Sequence, residues 1–163
     1  MENIKTRTPQ YLVIDDDLNF CKIVKAYGKS VGVGITYIDS VEKLETLSGL
    51  KFFDAILIDY DLEGMTGFEV AEILSVKAAI KPIVMISATN RPYQDQLARL
   101  PNIVGFVSKW GKVEDFFAKV VETVKTQPGI TVKNSAVDLG VSEADRKSPS
   151  NTPRRYMRYI VAR

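Results

Sequence analysis

The chain has 163 residues, 45% of them hydrophobic and 26% charged, enough apolar material for one core of ordinary domain size and too much for a chain disordered throughout. Its 22 basic and 20 acidic residues leave a formal charge of +2, too balanced to point to nucleic acid or an anionic membrane as the main partner. The single cysteine, Cys21, excludes an internal disulfide, and histidine is absent, so any chemistry falls to carboxylates, hydroxyls and lysines. The opening Met-Glu-Asn-Ile-Lys lacks the apolar run of a signal peptide, and no apolar stretch approaches the roughly 20 residues of a membrane span. A cytoplasmic protein is expected.

Five short apolar runs read as strands: Tyr11 to Asp15, Gly34 to Ile38, Ala55 to Asp59, Pro82 to Ser87 and Ile103 to Ser108. Four are nearly continuous in apolar residues, as buried parallel strands are. After the first, Leu18, Cys21 and Val24 keep a helical spacing, which makes Cys21 a packed thiol. Asp39 precedes Glu42 by three and Thr66 precedes Glu69 by three, so capping boxes are expected to start helices near Val41 and Gly67. Following the fifth strand, Val113, Phe116, Phe117, Val120, Val121 and Val124 form an apolar helical stripe. From Pro128 the periodicity fades, and Glu143 to Pro153 is polar and rich in serine and proline. The expected organisation is a compact domain over 9–127 and a linker with a basic tail over 128–163.

Strands alternating with helices, joined by crossovers too long for hairpins, give a doubly wound α/β fold. The expectation is a flavodoxin-like, five-stranded parallel sheet in the order 2-1-3-4-5, with helices on both faces.

In such a sheet the ligand crevice lies beyond the carboxyl ends of the strands. There the sequence puts Asp15, Asp16 and Asp17 after the first strand, Asp59 at the end of the third, Ser87 ending the fourth, and Ser108 and Lys109 after the fifth. Clustered carboxylates keep their charge only around a cation, and oxygen ligands without histidine or thiol select a hard ion, Mg2+ fitting best. Asp16 and Asp59 are the expected direct ligands, with Asp15 acting through water. A carboxylate can attack phosphorus to give an aspartyl phosphate, a transfer that needs mainly alignment and charge neutralisation. Asp59 is the candidate nucleophile, Lys109 the point charge for phosphoryl oxygens and Ser87 a hydroxyl donor to another.

The segments Leu-Val-Ile-Asp15-Asp16, Leu-Ile-Asp59, Met-Ile-Ser87-Ala88 and Gly105-Phe106-Val-Ser-Lys109, with the glycine-containing run from Asp59 to Gly67, resemble the response regulator receiver domains of two-component signalling. The resemblance covers Tyr11 to about Lys125. It implies that the backbone carbonyl of Asp61 also binds Mg2+, that phosphorylation draws Ser87 toward the phosphate while Phe106 rotates inward, and that the face formed by the fourth helix, fifth strand and fifth helix changes. It further implies a sensor histidine kinase or phosphotransfer protein as donor and a chain that catalyses only its own phosphorylation and dephosphorylation. Two positions depart from the family pattern. Glu63 replaces a usual proline, an exchange expected to loosen its loop and leave the site intact. Trp110 replaces the proline that commonly follows the lysine, often through a cis bond, so the loop there is expected to differ.

Leu-Ile-Asp59-Tyr-Asp61, Ser87 and Lys109 also resemble aspartate-nucleophile hydrolases of the haloacid dehalogenase type, with Asp61 as general acid and base. In that family, however, the nucleophile ends the first strand and the acid pair follows the lysine, the reverse of the order here. A third alternative is an adaptor that uses the fold without phosphorylation. In the tail, Arg154 and Arg158 resemble the arginine motif that opens PilZ domains, whose later elements the sequence lacks. With no helix-turn-helix pattern after the receiver, direct DNA binding is not expected, and output falls to a downstream protein target or an output domain outside this sequence. Whether phosphorylation drives a homodimer stays open.

Overall fold

A strand that is apolar at every position must be covered on both faces, and this requirement organises the molecule. The computed structural model of the chain describes residues 7–77, 81–89, 100 and 102–126. Strands β1 (Gln10–Ile14), β2 (Gly34–Ile38), β3 (Ala55–Asp59), β4 (Ile83–Ser87) and β5 (Ile103–Ser108) form a parallel sheet in the order β2-β1-β3-β4-β5. Helices are α1 (Leu18–Ser30), a short α2 (Lys43–Thr46), α3 (Gly67–Lys77) and α4 (Val113–Lys125). The doubly wound, flavodoxin-like order 2-1-3-4-5 is therefore as expected.

Alternate strand residues feed two separate cores. Val13, Leu57, Val84 and Ile86 face α1 and α4, where Phe20, Cys21, Val24, Phe116, Phe117, Val120 and Val124 fill the space. Leu12, Ile14, Ile56, Ile58 and Met85 face the other way onto Val70, Ala71 and Leu74 of α3. At about 1.5–3 kcal/mol for each large side chain taken from water, these two layers supply the main force that fixes the register. That register in turn sets which strand ends lie side by side.

Local signals hold in part. Asp17 caps α1, its side chain accepting from Asn19 N and Phe20 N at 2.9 and 3.1 Å, which leaves Asp16 free of that duty. The Thr66–Glu69 capping box forms, with Glu69 Oε2 accepting from Thr66 N at 2.7 Å, and α3 begins at Gly67 as expected. The Asp39–Glu42 box does not form. Asp39 pairs instead with Lys43, one turn on, Glu42 lies in the helical region without a side-chain cap bond, and α2 starts at Lys43 and lasts four residues. The Asp39 carboxylate has more than one local partner in reach, and here the lysine one turn on takes it in place of a backbone amide.

Three strand bounds shift by one residue: β1 runs from Gln10, one before Tyr11, to Ile14, just before Asp15, and β4 starts after Pro82. The helix expected between the fourth and fifth strands, the boundary near residue 127, and the tail with Arg154 and Arg158 lie outside the described residues. Among the described residues, no helix is long and apolar enough to cross a membrane.

Candidate functional site

Because β1 and β3 are in register, Ile14 opposite Ile58, the residues that follow each of them emerge together. Asp15 continues the ladder through its N–H to Ile38 O at 3.1 Å. Its side chain points into the crevice and is fully buried, at 0% exposure, with Asp59 at 5% and Ser87 at 4%. Asp15, Asp16 and Asp59 each present a carboxylate oxygen within 4.8 Å of the others.

Lys109 enters from the end of β5, where its N–H donates to Ser87 O at 2.9 Å. Its Nζ lies 2.6 Å from Asp15 Oδ2 and 2.7 Å from Asp59 Oδ2, and 4.8 Å above the Phe20 ring. Burial pushes Asp15 up to about 7, with Lys109 pulling it down and Asp59 adding to the rise. Asp59 is likewise raised, burial outweighing the pull of Lys109. Burial lowers the Lys109 ammonium, but the two carboxylates outweigh it and hold the group above its ordinary value.

Three carboxylates thus face one ammonium. Asp15 Oδ2 has no aligned hydrogen-bond donor among the described residues, only the ionic contact with Lys109. A divalent cation would remove both the charge excess and the desolvation penalty on Asp15 and Asp59. The donor set is all oxygen, so the residues present fit a hard ion.

The loop after Asp59 is a tight excursion. Tyr60 N donates to Ile86 O at 2.9 Å and Gly67 N to Tyr60 O at 2.8 Å. Between them Asp61–Leu62 and Met65–Thr66 make a two-stranded antiparallel ribbon, with Glu63 and Gly64 at its tip. Gly64 has φ 84°, a value that favours glycine at the second central position of such a turn. This places the Asp61 backbone beside Asp59, whose carboxylate accepts a hydrogen bond from it. Gly67 is needed for a different reason. A Cβ there would overlap the Asp59 carbonyl oxygen and lie 2.6 Å from Met85 Cε.

The expected site residues accordingly divide. Asp15, Asp16, Asp59 and Lys109 converge. Ser87 stands at the adjacent strand end, paired in register with Ser108, and its hydroxyl is engaged locally by Thr89, whose N–H donates to Ser87 Oγ at 3.0 Å. Phe106 is partly buried on the α3 side of the sheet, its ring 6.3 Å from that of Phe68.

Sequence reasoning missed the contacts of three residues. Phe20 under Lys109 was indistinguishable from an ordinary core residue of an apolar stripe. Glu63, expected to loosen its loop, instead donates its backbone N–H to Asp16 Oδ2 at 3.1 Å, and the missing proline was the available signal. Trp110 follows Lys109 through a trans peptide. Its N–H donates to Ser108 Oγ at 3.1 Å and its indole N–H donates to the Ala88 carbonyl.

The family model for the response regulator receiver domain matches residues 11–121. The chain belongs to the response regulator receiver family. A curated relative, stress response regulator protein 1 of Lodderomyces elongisporus, is 26% identical over 151 residues, covering 85% of this chain and 41% of that protein. The chain therefore spans less than half the length of this relative. Among solved structures, the CheY-like receiver domain protein of Methanospirillum hungatei superposes with TM-score 0.63 at 17% identity, over 73% of this chain and 95% of that one. The response regulator TrrA of Thermotoga maritima, solved in complex with Mg2+-BeF, gives TM-score 0.59 at 23% identity, over 71% and 98%. A receiver's family membership places the chain in two-component signalling, and the structural likenesses add the fold.

Proposed function

We propose that this receiver takes a phosphoryl group onto Asp59 from a phosphohistidine on a partner kinase or phosphotransfer protein, in a Mg2+-dependent reaction. The observation that carries this reading is Lys109 Nζ held at 2.7 Å from the Asp59 carboxylate and 2.6 Å from Asp15, beside a third carboxylate on Asp16. Having no histidine, the chain depends on an external donor.

Asp16 and Asp59 would hold the ion directly, with the Asp61 carbonyl, and Asp15 would act through water. When bound, Mg2+ neutralises charge on the phosphoryl oxygens and on the acid cluster. A carboxylate oxygen of Asp59 forms the new bond to phosphorus as the bond to the donor nitrogen breaks, and the imidazole leaves with the electron pair. Lys109 stays on the face of the cluster and meets the added negative charge, a preorganised interaction that strengthens as charge develops. Ser87 leaves Thr89 and donates its hydroxyl to a phosphoryl oxygen. That displacement frees space beside β5, Phe106 turns inward, and the surface formed by β5 and α4 changes for a downstream target. Support for the Mg2+ step comes from the all-oxygen donor set and from TrrA, which was solved with Mg2+-BeF. The chain acts only on its own aspartate, so it is a substrate and switch rather than a turnover enzyme.

The test is intact mass after incubation with MgCl2 and acetyl phosphate. Wild type is expected to gain one phosphoryl group and Asp59→Asn none. No gain with the donor intact would favour an unphosphorylated adaptor, and donor consumption without accumulation would favour the hydrolase reading.

A further inference from the structure

Asp16 lies on the loop between β1 and α1, and Glu63 at the tip of the Asp61–Thr66 ribbon, 47 positions away in the chain. The hydrogen bond between them therefore joins the two loops that, on the proposed function, supply separate ligands to one ion. We propose that the Glu63 backbone amide is a positioning group for the metal site, holding Asp16 toward the cluster and tying it to the ribbon that carries the Asp61 carbonyl. This deepens the proposed Mg2+-dependent function and rests on it.

The geometry supports positioning over sequestration. Asp16 is exposed, unlike buried Asp15 and Asp59, and an exposed aspartate with no partner samples several rotamers that metal binding must freeze. The amide contact restricts that freedom beforehand. It also leaves the second carboxylate oxygen and the remaining lone pairs available, and Asp16 still presents an oxygen within 4.8 Å of those of Asp15 and Asp59. A bond that pulled Asp16 out of the site would not coexist with that cluster.

The amide is available because of where Glu63 falls. The ribbon pairs Asp61 with Thr66 and Leu62 with Met65, so the N–H of Glu63 lies outside the ladder. Glu63 has a negative φ and Gly64 a positive one, the signs of a type II turn, in which the first central position accepts proline readily. Proline there would keep the turn and delete only the donor. The residue type at 63 thus decides whether the clasp exists, through its main chain and not its carboxylate.

This makes a clean comparison possible. Calorimetric titration of the full chain with MgCl2, after removal of metal by chelator, would be run on wild type, Glu63→Ala and Glu63→Pro. Alanine keeps the amide and removes the side-chain charge, so it is the reference. Proline is expected to bind Mg2+ roughly three- to tenfold more weakly than alanine, the scale of one charge-assisted hydrogen bond at a partly solvated site. Equal or tighter binding by the proline variant overturns the clasp while leaving the receiver reading intact. Wild type that binds no Mg2+ overturns both. Amide hydrogen exchange of Glu63 without metal tests the clasp independently of the proline variant's folding. Asp16→Ala is expected to speed that exchange by about tenfold as the protecting acceptor is lost, and an unchanged rate would overturn the proposal.

Discussion

Lys109 Nζ lies 2.6 Å from Asp15 Oδ2, which makes this fully buried carboxylate depend on the same ammonium that pairs with Asp59. Removing the lysine strands Asp15 in a site of low polarity. Lys109→Met is therefore expected to lower metal-free stability at about pH 8 by about 3 kcal/mol, and by less at about pH 5.5, where Asp15 escapes by protonation. Urea unfolding at the two pH values checks this. The same variant should slow phosphorylation of Asp59 by about a hundredfold or more, the scale of losing one preorganised electrostatic partner.

Metal removal has its own pH signature. Asp15 is raised from 3.8 to about 7 in the folded state. Stability from a group raised in this way is fully present below the unfolded value and is lost as pH climbs through the folded one. Metal-free protein should thus weaken between about pH 4 and about pH 7, and because ligands must be deprotonated to bind, excess MgCl2 should raise the Tm more at about pH 8 than at about pH 5.5. Thermal melts with chelator and with MgCl2 at both pH values measure the difference. Equal Mg2+ shifts at the two values would count against the carboxylate cluster as the metal site.

Gly67 abuts the backbone of Asp59, the proposed phosphoacceptor. A methyl group there would overlap the Asp59 carbonyl oxygen and lie 3.0 Å from its carbonyl carbon, backbone that does not yield cheaply, whereas Met85 Cε at 2.6 Å is the end of a flexible side chain. Gly67→Ala should cost about 1–3 kcal/mol and also slow phosphorylation, because the backbone that shifts is that of Asp59. Chemical denaturation and the acetyl phosphate mass assay, run on the same preparation, separate the two effects.

Cys21 is buried, its thiol facing the Asp15 carbonyl at 3.5 Å, and burial pushes it up to about 12. Native protein should resist iodoacetamide at about pH 8, where the thiol stays protonated, and take up one equivalent once unfolded. Rapid native labelling would mean that the β1 end of the core opens freely.

What the sequence made legible follows from the strength of each signal. Nearly continuous apolar runs named the strands within one residue, and the polar residues that end those runs pointed to Asp15, Asp59, Ser87 and Lys109 because they stand together at the carboxyl ends of parallel strands, whereas any one acid alone would pass for a helix cap, as Asp17 is. Asp39 and Glu42 misled because two legitimate local partners competed for Asp39, and the ion pair with Lys43 won. Glu63 and Trp110 were visible as departures from the family pattern, yet their roles were not, since one acts through a main-chain N–H and the other through a contact with Ala88. Neither partner is implied by residue type or by spacing.

The trans Lys109–Trp110 link leaves an indole hydrogen-bonded to the carbonyl beside Ser87, and it is the chain's single tryptophan. On the proposed mechanism, in which phosphorylation displaces Ser87, the protein consequently carries an optical gauge at the joint that moves. When Ser87 moves, the Ala88 carbonyl moves with it, the indole loses or changes its acceptor, and the emission colour shifts without interference from another tryptophan. Phosphorylation would then be readable in real time on unlabelled protein, from the residue that departs from the family pattern after Lys109.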